Sequence, residues 1–548
     1  MNQKIEKNEE YRLQITGMTS EGNGVGKIDG YTVFVPNTAP GDYGRVRLVK
    51  KNKHYGYGKL MELIQPSPDR VEPDCPYFGV CGGCTYRHIS YEAELRLKED
   101  LVRDAFSRLG GIFTEVSPIV GSKRTEGYRN KAQYPVGRNK EGEIVAGFYA
   151  KRSHRIIPSA ECALQPAVFG EIQAAVLDFM REKQIPPYDE TTGEGLIRHL
   201  YLRRGEVTGE IMLCLVAASL EIPHIKEFVC QMTERFPAIQ SIVLNENSSR
   251  DNVILGKYCR TIWGRDTIRD ILCGVEVELS PLSFYQVNHP QAEVLYRKAM
   301  EYAGLTGTEI LLDLYCGAGT IGLSGADRVR QLIGVEVIPE AIENAKRNAE
   351  RNGTKNARFL CADAGEAAAL LAEEGLLPDV IILDPPRKGV DQQVIDAVEK
   401  MSPECLVMVS CNPATAARDC ALLREKGYEI RAITPVDLFP RTGHVETVVL
   451  LSKGEIDSQK VRVEFSLEDM DMSDFKKGAT YSEIKAYVLE KFGLKVSSLY
   501  ISQVKRKCGL EVGQNYNLPK SENQRVPQCP LEKEKAIMDA LRHFKVTL

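Results

Sequence analysis

Three stretches in the second half of the 548-residue chain carry side chains able to do covalent and proton-transfer chemistry. CLVMVSCNP places Cys411 at the end of an apolar run, with Asn412 and Pro413 behind it. A deprotonated cysteine in that position is a strong nucleophile. DVIILDPPRKG ends its own apolar run at Asp384, and HVETVVLL opens on His444 and carries Glu446. Upstream, ILLDLYCGAGTIG holds Asp313 and Tyr315 before a turn containing Gly317, Gly319 and Gly322, and LIGVEV then ends at Glu336. The glycines let the backbone approach a ligand closely, and an acid about 20 residues past such a turn can hydrogen-bond a ribose diol. Because Asp313 precedes the turn, the pattern departs from the dinucleotide fingerprint. It fits an adenosine without a pyrophosphate, as in S-adenosylmethionine (SAM).

These residues need one frame to bring them together. The runs ending at Asp313, Glu336, Asp363, Asp384 and Cys411 read as strands separated by helical segments. That alternation predicts an α/β, doubly wound (Rossmann-like) domain, in which ligands bind at the carboxyl ends of parallel strands. If HVETVVLL turns back antiparallel, its start lies on the same edge and Glu446 stands beside Cys411. DPP resembles the tetrad of amino-group methyltransferases, but Arg387 replaces the aromatic that would stack on a flipped amino base. One cysteine, one carboxylate base and SAM instead meet the needs of methylation at carbon 5 of uracil. A thiolate adds at carbon 6, the resulting enolate attacks the sulfonium methyl, and a base removes the carbon-5 proton so that the thiolate can leave. Gln286 and Asn288, in the polar break of SFYQVN, could contact the amino-acid end of the cofactor or simply cap the following helix.

The rest of the chain is read for what it adds. Residues 1–64 alternate short strands with Gly, Asn and Pro, as in a small barrel, with Lys50, Lys51, Lys53, His54, Tyr55 and Tyr57 near its end. Cations interleaved with aromatics suit an RNA backbone and stacked bases. After a proline-rich joint come Cys75, Cys81 and Cys84 in C-x5-C-G-G-C, with Cys162 far along the chain. Three thiolates on one loop and a distant fourth make a four-sulfur site for zinc or an iron–sulfur cluster. Other cysteines, such as Cys214, Cys230, Cys259 and Cys273, lie in apolar runs and are expected to be buried. Arg129, Lys131, Lys151, Arg152, His154, Arg155, Arg198, Arg203 and Arg204 suggest one basic sheet face that cradles RNA. With a net charge of -4, any nucleic-acid surface must be local. No run of about 18 apolar residues predicts a membrane span, and the N-terminal residues lack a signal-peptide core, so a cytoplasmic protein is expected.

The combination SFYQVN, DLYCGAGTIG, ILDPPRKG, SCNP and HVET resembles the SAM-dependent RNA uracil-5 methyltransferases. VFVPNTAPGD resembles the TRAM domain, an OB-like RNA-binding module, and together with the cysteine set it points to the 23S rRNA branch. The resemblance covers about residues 8–453. It implies Cys411 as nucleophile and Glu446 as proton-abstracting base. Gln286, Tyr315, Glu336 and Asp384 match SAM-site positions, and Cys75, Cys81, Cys84 and Cys162 match the ligands of a [4Fe-4S] cluster. The expected organisation is a TRAM-like barrel over 1–64, a central α+β domain with the cluster over 65–285, the methyltransferase domain over 286–455 and a helical extension over 456–548. A monomer acting on RNA is expected. In the extension, helices are predicted over about 481–492, 497–507 and EKEKAIMDALRHF, with Thr480 capping the first and a basic spot at Lys505, Arg506 and Lys507. Cys508 and Cys529 lack close partners for a metal site.

Overall fold

Why the first segment closes on itself follows from its alternation. In the computed structural model, which describes residues 5–453, 481–494, 496–507 and 529–543, strands β1 (Glu10–Met18), β2 (Asn23–Ile28), β3 (Tyr31–Pro36), β4 (Tyr43–Lys51) and β5 (Tyr55–Gln65) form a closed barrel in the order β1-β2-β3-β5-β4. Tyr11, Leu13, Ile15, Val33, Val35, Val46 and Leu48 point inward at every second position. On the outside, the rings of Phe34, Tyr55 and Tyr57 form an edge-to-face group, and Lys50 lies 6.0 Å over Tyr57.

Helix α1 (Tyr91–Asp104) follows, its first turn capped by Ser90, which accepts from the Ala93 amide. A mixed seven-stranded sheet is built from β6 (Lys131–Arg138), β7 (Ile144–Tyr149), β8 (Ile156–Pro158), β9 (Ile197–Arg204), β10 (Ile211–Ala217), β11 (Ile239–Glu246) and β12 (Tyr258–Gly264). Its order is β12-β11-β10-β9-β6-β7-β8. Helices α2 (Ala167–Glu182) and α3 (Ile225–Arg235) cover one face, where Phe169, Ile172 and Phe228 meet Leu200, Leu202 and Leu213. Tyr201, Met212, Cys214 and Val216 on the other face join the core of the hairpin β13 (Ile268–Leu272) and β14 (Val275–Leu279). Burial on both faces explains the unbroken apolar run of β10.

That burial corrects the expected RNA cradle. Arg203, 1% exposed, donates to the Ser280 and Ser283 carbonyls (both 2.7 Å). Arg198, also buried, donates to the Asn247 carbonyl (2.9 Å). A guanidinium with that many backbone acceptors is a loop fastener, not a phosphate contact. Lys151, Arg152, His154 and Arg155 do remain exposed. Cys230 also departs from expectation: it is exposed on α3 and faces Glu234.

The third part begins at α4 (His289–Ala303). It continues through β15 (Ile310–Leu314), α5 (Thr320–Leu323), β16 (Gln331–Glu336), α6 (Pro339–Arg351), β17 (Ala357–Cys361), α7 (Ala364–Glu373) and β18 (Val380–Leu383). Then come α8 (Gln392–Met401), β19 (Cys405–Ser410), α9 (Pro413–Glu425), β20 (Tyr428–Val436) and β21 (Glu446–Lys453). The sheet order is β17-β16-β15-β18-β19-β21-β20, and β21 alone runs antiparallel to its neighbours. This is the expected doubly wound sheet, with the last strand folded back.

By internal packing the chain divides into Met1–Ile456 and Asp457–Leu548. In the second unit, α10 (Tyr481–Phe492), α11 (Ser498–Lys507) and α12 (Leu531–His543) enclose a small core of Ile484, Val488, Val496, Ile501, Val504, Ile537 and Leu541. Lys507 pairs with Glu534 (2.8 Å). Thr480 and Cys508 lie outside the described residues. Among the described residues no helix is long and apolar enough to cross a membrane.

Candidate active site

The antiparallel return of β21 decides which residues meet. Ser410 is paired with Thr447 across β19 and β21, so the next residues outward, Cys411 and Glu446, stand together at the carboxyl edge of the sheet. β20 flanks them, with Val436 paired to Glu446. The DPPRKG loop supplies the third wall, and the first turns of α9 hold it. Asn412 Nδ2 donates to the Arg387 carbonyl (3.1 Å), Arg418 Nη2 to the Lys388 carbonyl (2.9 Å), and the Val390 amide donates to Asp419 Oδ2 (2.8 Å).

Burial sets the electrostatics of this edge. Glu446 is 4% exposed. Burial, with the nearby Asp384 carboxylate adding to it, pushes its carboxyl up to about 8 against the pull of Arg387. Burial likewise lifts Asp384 to about 7. The half-buried Cys411 thiol is raised by burial and by Glu446, while the Arg387 guanidinium hydrogen-bonds it and favours the thiolate. Arg387 Nη2 also donates to Nε2 of His444 (3.4 Å), whose pKa burial and Arg387 depress to about 4. One nucleophile, two carboxyls and one cation therefore share a small volume. Arg387 is visible in the sequence only as the non-aromatic residue that follows DPP, fourth in the tetrad.

The glycine turn brings its backbone close to the Asp313 carboxyl. Gly319 adopts a φ of +79° at the start of α5, and a Cβ on Gly322 would stand 2.8 Å from Asp313 Oδ2. That closeness lets the Gly322 amide donate to Asp313 Oδ2 (2.9 Å). Asp313 is otherwise buried, with Oδ1 unpartnered and its pKa raised by burial to about 7. Tyr315 takes a positive φ of 67°, a strained conformation for an aromatic residue at the end of β15. Glu336 ends β16 and turns Oε1 onto the Val337 and Ile338 amides (2.8 and 3.1 Å). Val337 and Ile338 are 60% and 53% exposed beside it, an apolar lip that the sequence pattern did not single out. Asp363 instead caps α7, accepting from the Glu366 amide (2.8 Å).

Gln286 and Asn288 separate in role. Asn288 is the N-cap of α4 and also donates from Nδ2 to the Leu438 carbonyl (3.0 Å). Gln286 is buried, and its carbonyl accepts from Asn130 Nδ2 (2.9 Å). Two residues before it, Phe284 is 69% exposed. A large ring left in water next to a polar site is a ready stacking surface, and it too was missed.

Cys75, Cys81, Cys84 and Cys162 converge from 87 residues of sequence to line one cavity of about 320 Å³, with Arg129, Thr442 and His444 on its wall. Burial raises the Cys84 thiol to about 11, helped by Cys162 and Cys81, and raises Cys81 and Cys162 as well. Among the described residues no group of three His, Cys, Asp or Glu side chains lies close enough together to hold a metal ion. The donor set itself, four thiols sharing one partly buried cavity, is of the kind that soft metals and iron–sulfur clusters take.

Comparison with known proteins agrees with this geometry. Residues 277–454 match the model of the tRNA (uracil-5-)-methyltransferase family, and residues 4–61 match the TRAM domain. A Clostridium tetani protein named an uncharacterized RNA methyltransferase is 42% identical, over 82% of this chain and 97% of its own length. A counterpart from Halalkalibacterium halodurans is 43% identical over 82% and 98%. The crystal structure of the Pyrococcus abyssi tRNA (uracil-54, C5)-methyltransferase in complex with S-adenosyl-L-homocysteine superposes with a TM-score of 0.66. It is 31% identical and covers 80% of this chain and all of that one. With a TRAM barrel, a doubly wound catalytic sheet and this likeness along nearly the whole length of its relatives, the chain belongs to the SAM-dependent RNA uracil-5 methyltransferases.

Proposed function

We propose that the protein methylates carbon 5 of a uridine in 23S rRNA through a covalent adduct on Cys411. The observation that carries this is the meeting of Cys411 and Glu446 across the end of the β19–β21 ladder, with Arg387 and a second carboxyl, Asp384, close enough to act on both. SAM supplies an electrophilic methyl group on a sulfonium. Gln286, Tyr315, Glu336 and Asp384 would hold and orient it, with Glu336 toward the ribose diol and Asp384 toward the methyl-transfer centre. Phe284 offers its ring to a base. Cys411 Sγ, as thiolate, adds to carbon 6 of the uracil, and electron density moves onto carbon 5 and the carbonyl oxygen. Carbon 5 then takes the methyl as the sulfur–methyl bond breaks, and S-adenosylhomocysteine leaves with the electron pair. Glu446 removes the remaining carbon-5 proton, the carbon 5–carbon 6 double bond reforms, and Cys411 leaves as thiolate. A carboxylate with a raised pKa is a stronger base for that last step.

We further infer that Cys75, Cys81, Cys84 and Cys162 hold a [4Fe-4S] cluster. Their shared cavity supports this, and the cluster with the barrel supports an rRNA substrate. The substrate named for the Pyrococcus abyssi enzyme supports a second reading, methylation of tRNA.

The deciding measurement is SAM-dependent tritium release from 23S rRNA and tRNA transcripts labelled at uracil carbon 5. Release from rRNA that is abolished by Cys411→Ala is the expected result. Release from tRNA alone selects the second reading, and release that survives Cys411→Ala removes the covalent mechanism. For the cluster, about four iron and four sulfide per chain are expected after anaerobic purification. One zinc and no sulfide would overturn it.

A further inference from the structure

Between β20 and β21 lies a segment, Asp437–Val445, that delivers Glu446 to the site. No strand pairing holds it. Yet its first five residues are all tied to distant parts of the chain. The Asp437 amide donates to the Val120 carbonyl (3.0 Å), Asn288 holds the Leu438 carbonyl (3.0 Å), and Tyr128 Oη donates to the Pro440 carbonyl (2.9 Å). The Arg441 carbonyl accepts from the amides of Thr85 (2.8 Å) and Tyr86 (3.2 Å), immediately after Cys84.

At the centre is an ionic group sealed from water. Lys98 of α1 spends all three of its protons there: on Glu94 Oε1 (2.7 Å), on Asp437 Oδ1 (2.7 Å) and on the Phe439 carbonyl (3.1 Å). The side chains of Lys98, Glu94 and Asp437 are each 0% exposed. Tyr91 Oη donates to Asp437 Oδ2 (2.7 Å), the Arg441 amide donates to Glu94 Oε1 (2.7 Å), and the Arg441 guanidinium approaches Glu94 Oε2 (3.7 Å). Arg441 itself is held at a φ of +67°, a conformation that a β-unbranched cation does not choose unaided.

Buried ion pairs are a poor way to gain stability, because apolar side chains of the same volume would hold the segment about as well. What they provide is a fixed geometry: every polar side-chain atom of Lys98 and Asp437 is engaged, while Glu94 Oε2 has the Arg441 guanidinium at 3.7 Å but no hydrogen bond. We propose that Lys98, through Glu94 and Asp437, is a positioning residue for the base: it fixes the Asp437–Arg441 segment so that Glu446 reaches the carbon-5 proton of the adduct. Adduct formation by Cys411, which stands on β19, does not depend on it. This rests on the reading of Glu446 as base.

The test separates the two half-reactions in the full-length protein. A transcript of the substrate RNA containing 5-fluorouridine reports adduct formation alone, because fluorine cannot leave as a proton does. The same transcript with tritiated uridine reports base-driven breakdown. For Lys98→Met we expect trapping on fluorinated RNA within about threefold of wild type, tritium release slowed about tenfold or more, and a denaturation-resistant protein–RNA band on ordinary RNA. Tyr128→Phe, which removes only the bond to Pro440, is expected to do the same more weakly and serves if Lys98→Met fails to fold. Equal loss of trapping and release, or no change in either for both variants, overturns the proposal. Glu446→Gln is the reference. If it accumulates the ordinary adduct and the other two do not, the positioning role falls alone. If Glu446→Gln itself accumulates none, the assignment of the base falls, and this proposal with it.

Discussion

The chemistry at the sheet edge turns on three side chains that all resist carrying negative charge. Glu446 is lifted to about 8 by burial and Asp384, and Cys411 is raised by burial and Glu446. In the proposed mechanism both act in their deprotonated forms, and a raised pKa means that those forms are gained as pH rises. At pH 7 roughly one Glu446 in ten is ionised in the free protein. The value of kcat/KM, which reports free-enzyme ionisations, should therefore climb about tenfold or more between pH 7 and pH 9. A flat profile through that window would exclude Glu446 or Cys411 as a group that must deprotonate. Arg387 opposes both shifts. Arg387→Met should move the rise to higher pH by about one unit and lower activity at neutral pH, with recovery in alkaline buffer. A loss that no pH restores would mean that Arg387 contacts the substrate rather than tuning the thiol. Glu446→Gln should reduce turnover by at least about a hundredfold while a denaturation-resistant RNA adduct builds up; normal product without a band would remove Glu446 from the base role.

At the level of elements, the glycine turn between β15 and α5 is the part most open to a single change. Gly322→Ala would put a Cβ 2.7 Å from Leu332 and 2.8 Å from Asp313 Oδ2. The Asp313 carboxyl must then leave the Gly322 amide, and the end of β15 at Tyr315 moves with it. SAM affinity, read by calorimetric titration, should fall about tenfold or more; unchanged affinity would show that the turn has room to give. The strand ends were legible because an apolar run stopped by an acid or a cysteine is a local signal. The partnership of Cys411 with Glu446 was legible only through the topology, since it depends on β21 running backwards. Arg198 and Arg203 misled for the same reason. Along β9 they look like surface cations, but the 280–283 turn meets Arg203 with backbone carbonyls, and the 247–249 loop does the same for Arg198. Phe284, Val337 and Ile338 carry no pattern at all, and only their exposure marks them.

For the whole molecule, the striking asymmetry in length has a testable consequence. Relatives align over 97% and 98% of their own length while covering only 82% of this chain. The barrel, the mixed sheet and the catalytic sheet all lie within Met1–Ile456, and so does every residue assigned a role above. The helices of the second unit have a core of their own in Ile484, Val488, Ile501, Val504 and Ile537, so they do not need the rest of the chain to bury their apolar faces. Ending the chain after Ile456 should therefore leave kcat on an isolated RNA fragment within about threefold of full length and leave the main thermal transition in place. If the second unit adds RNA contacts, its loss should appear as a higher KM on intact rRNA that grows with salt, because charged contacts to phosphates are screened. Loss of kcat on the short fragment would instead place part of the second unit in the catalytic machinery.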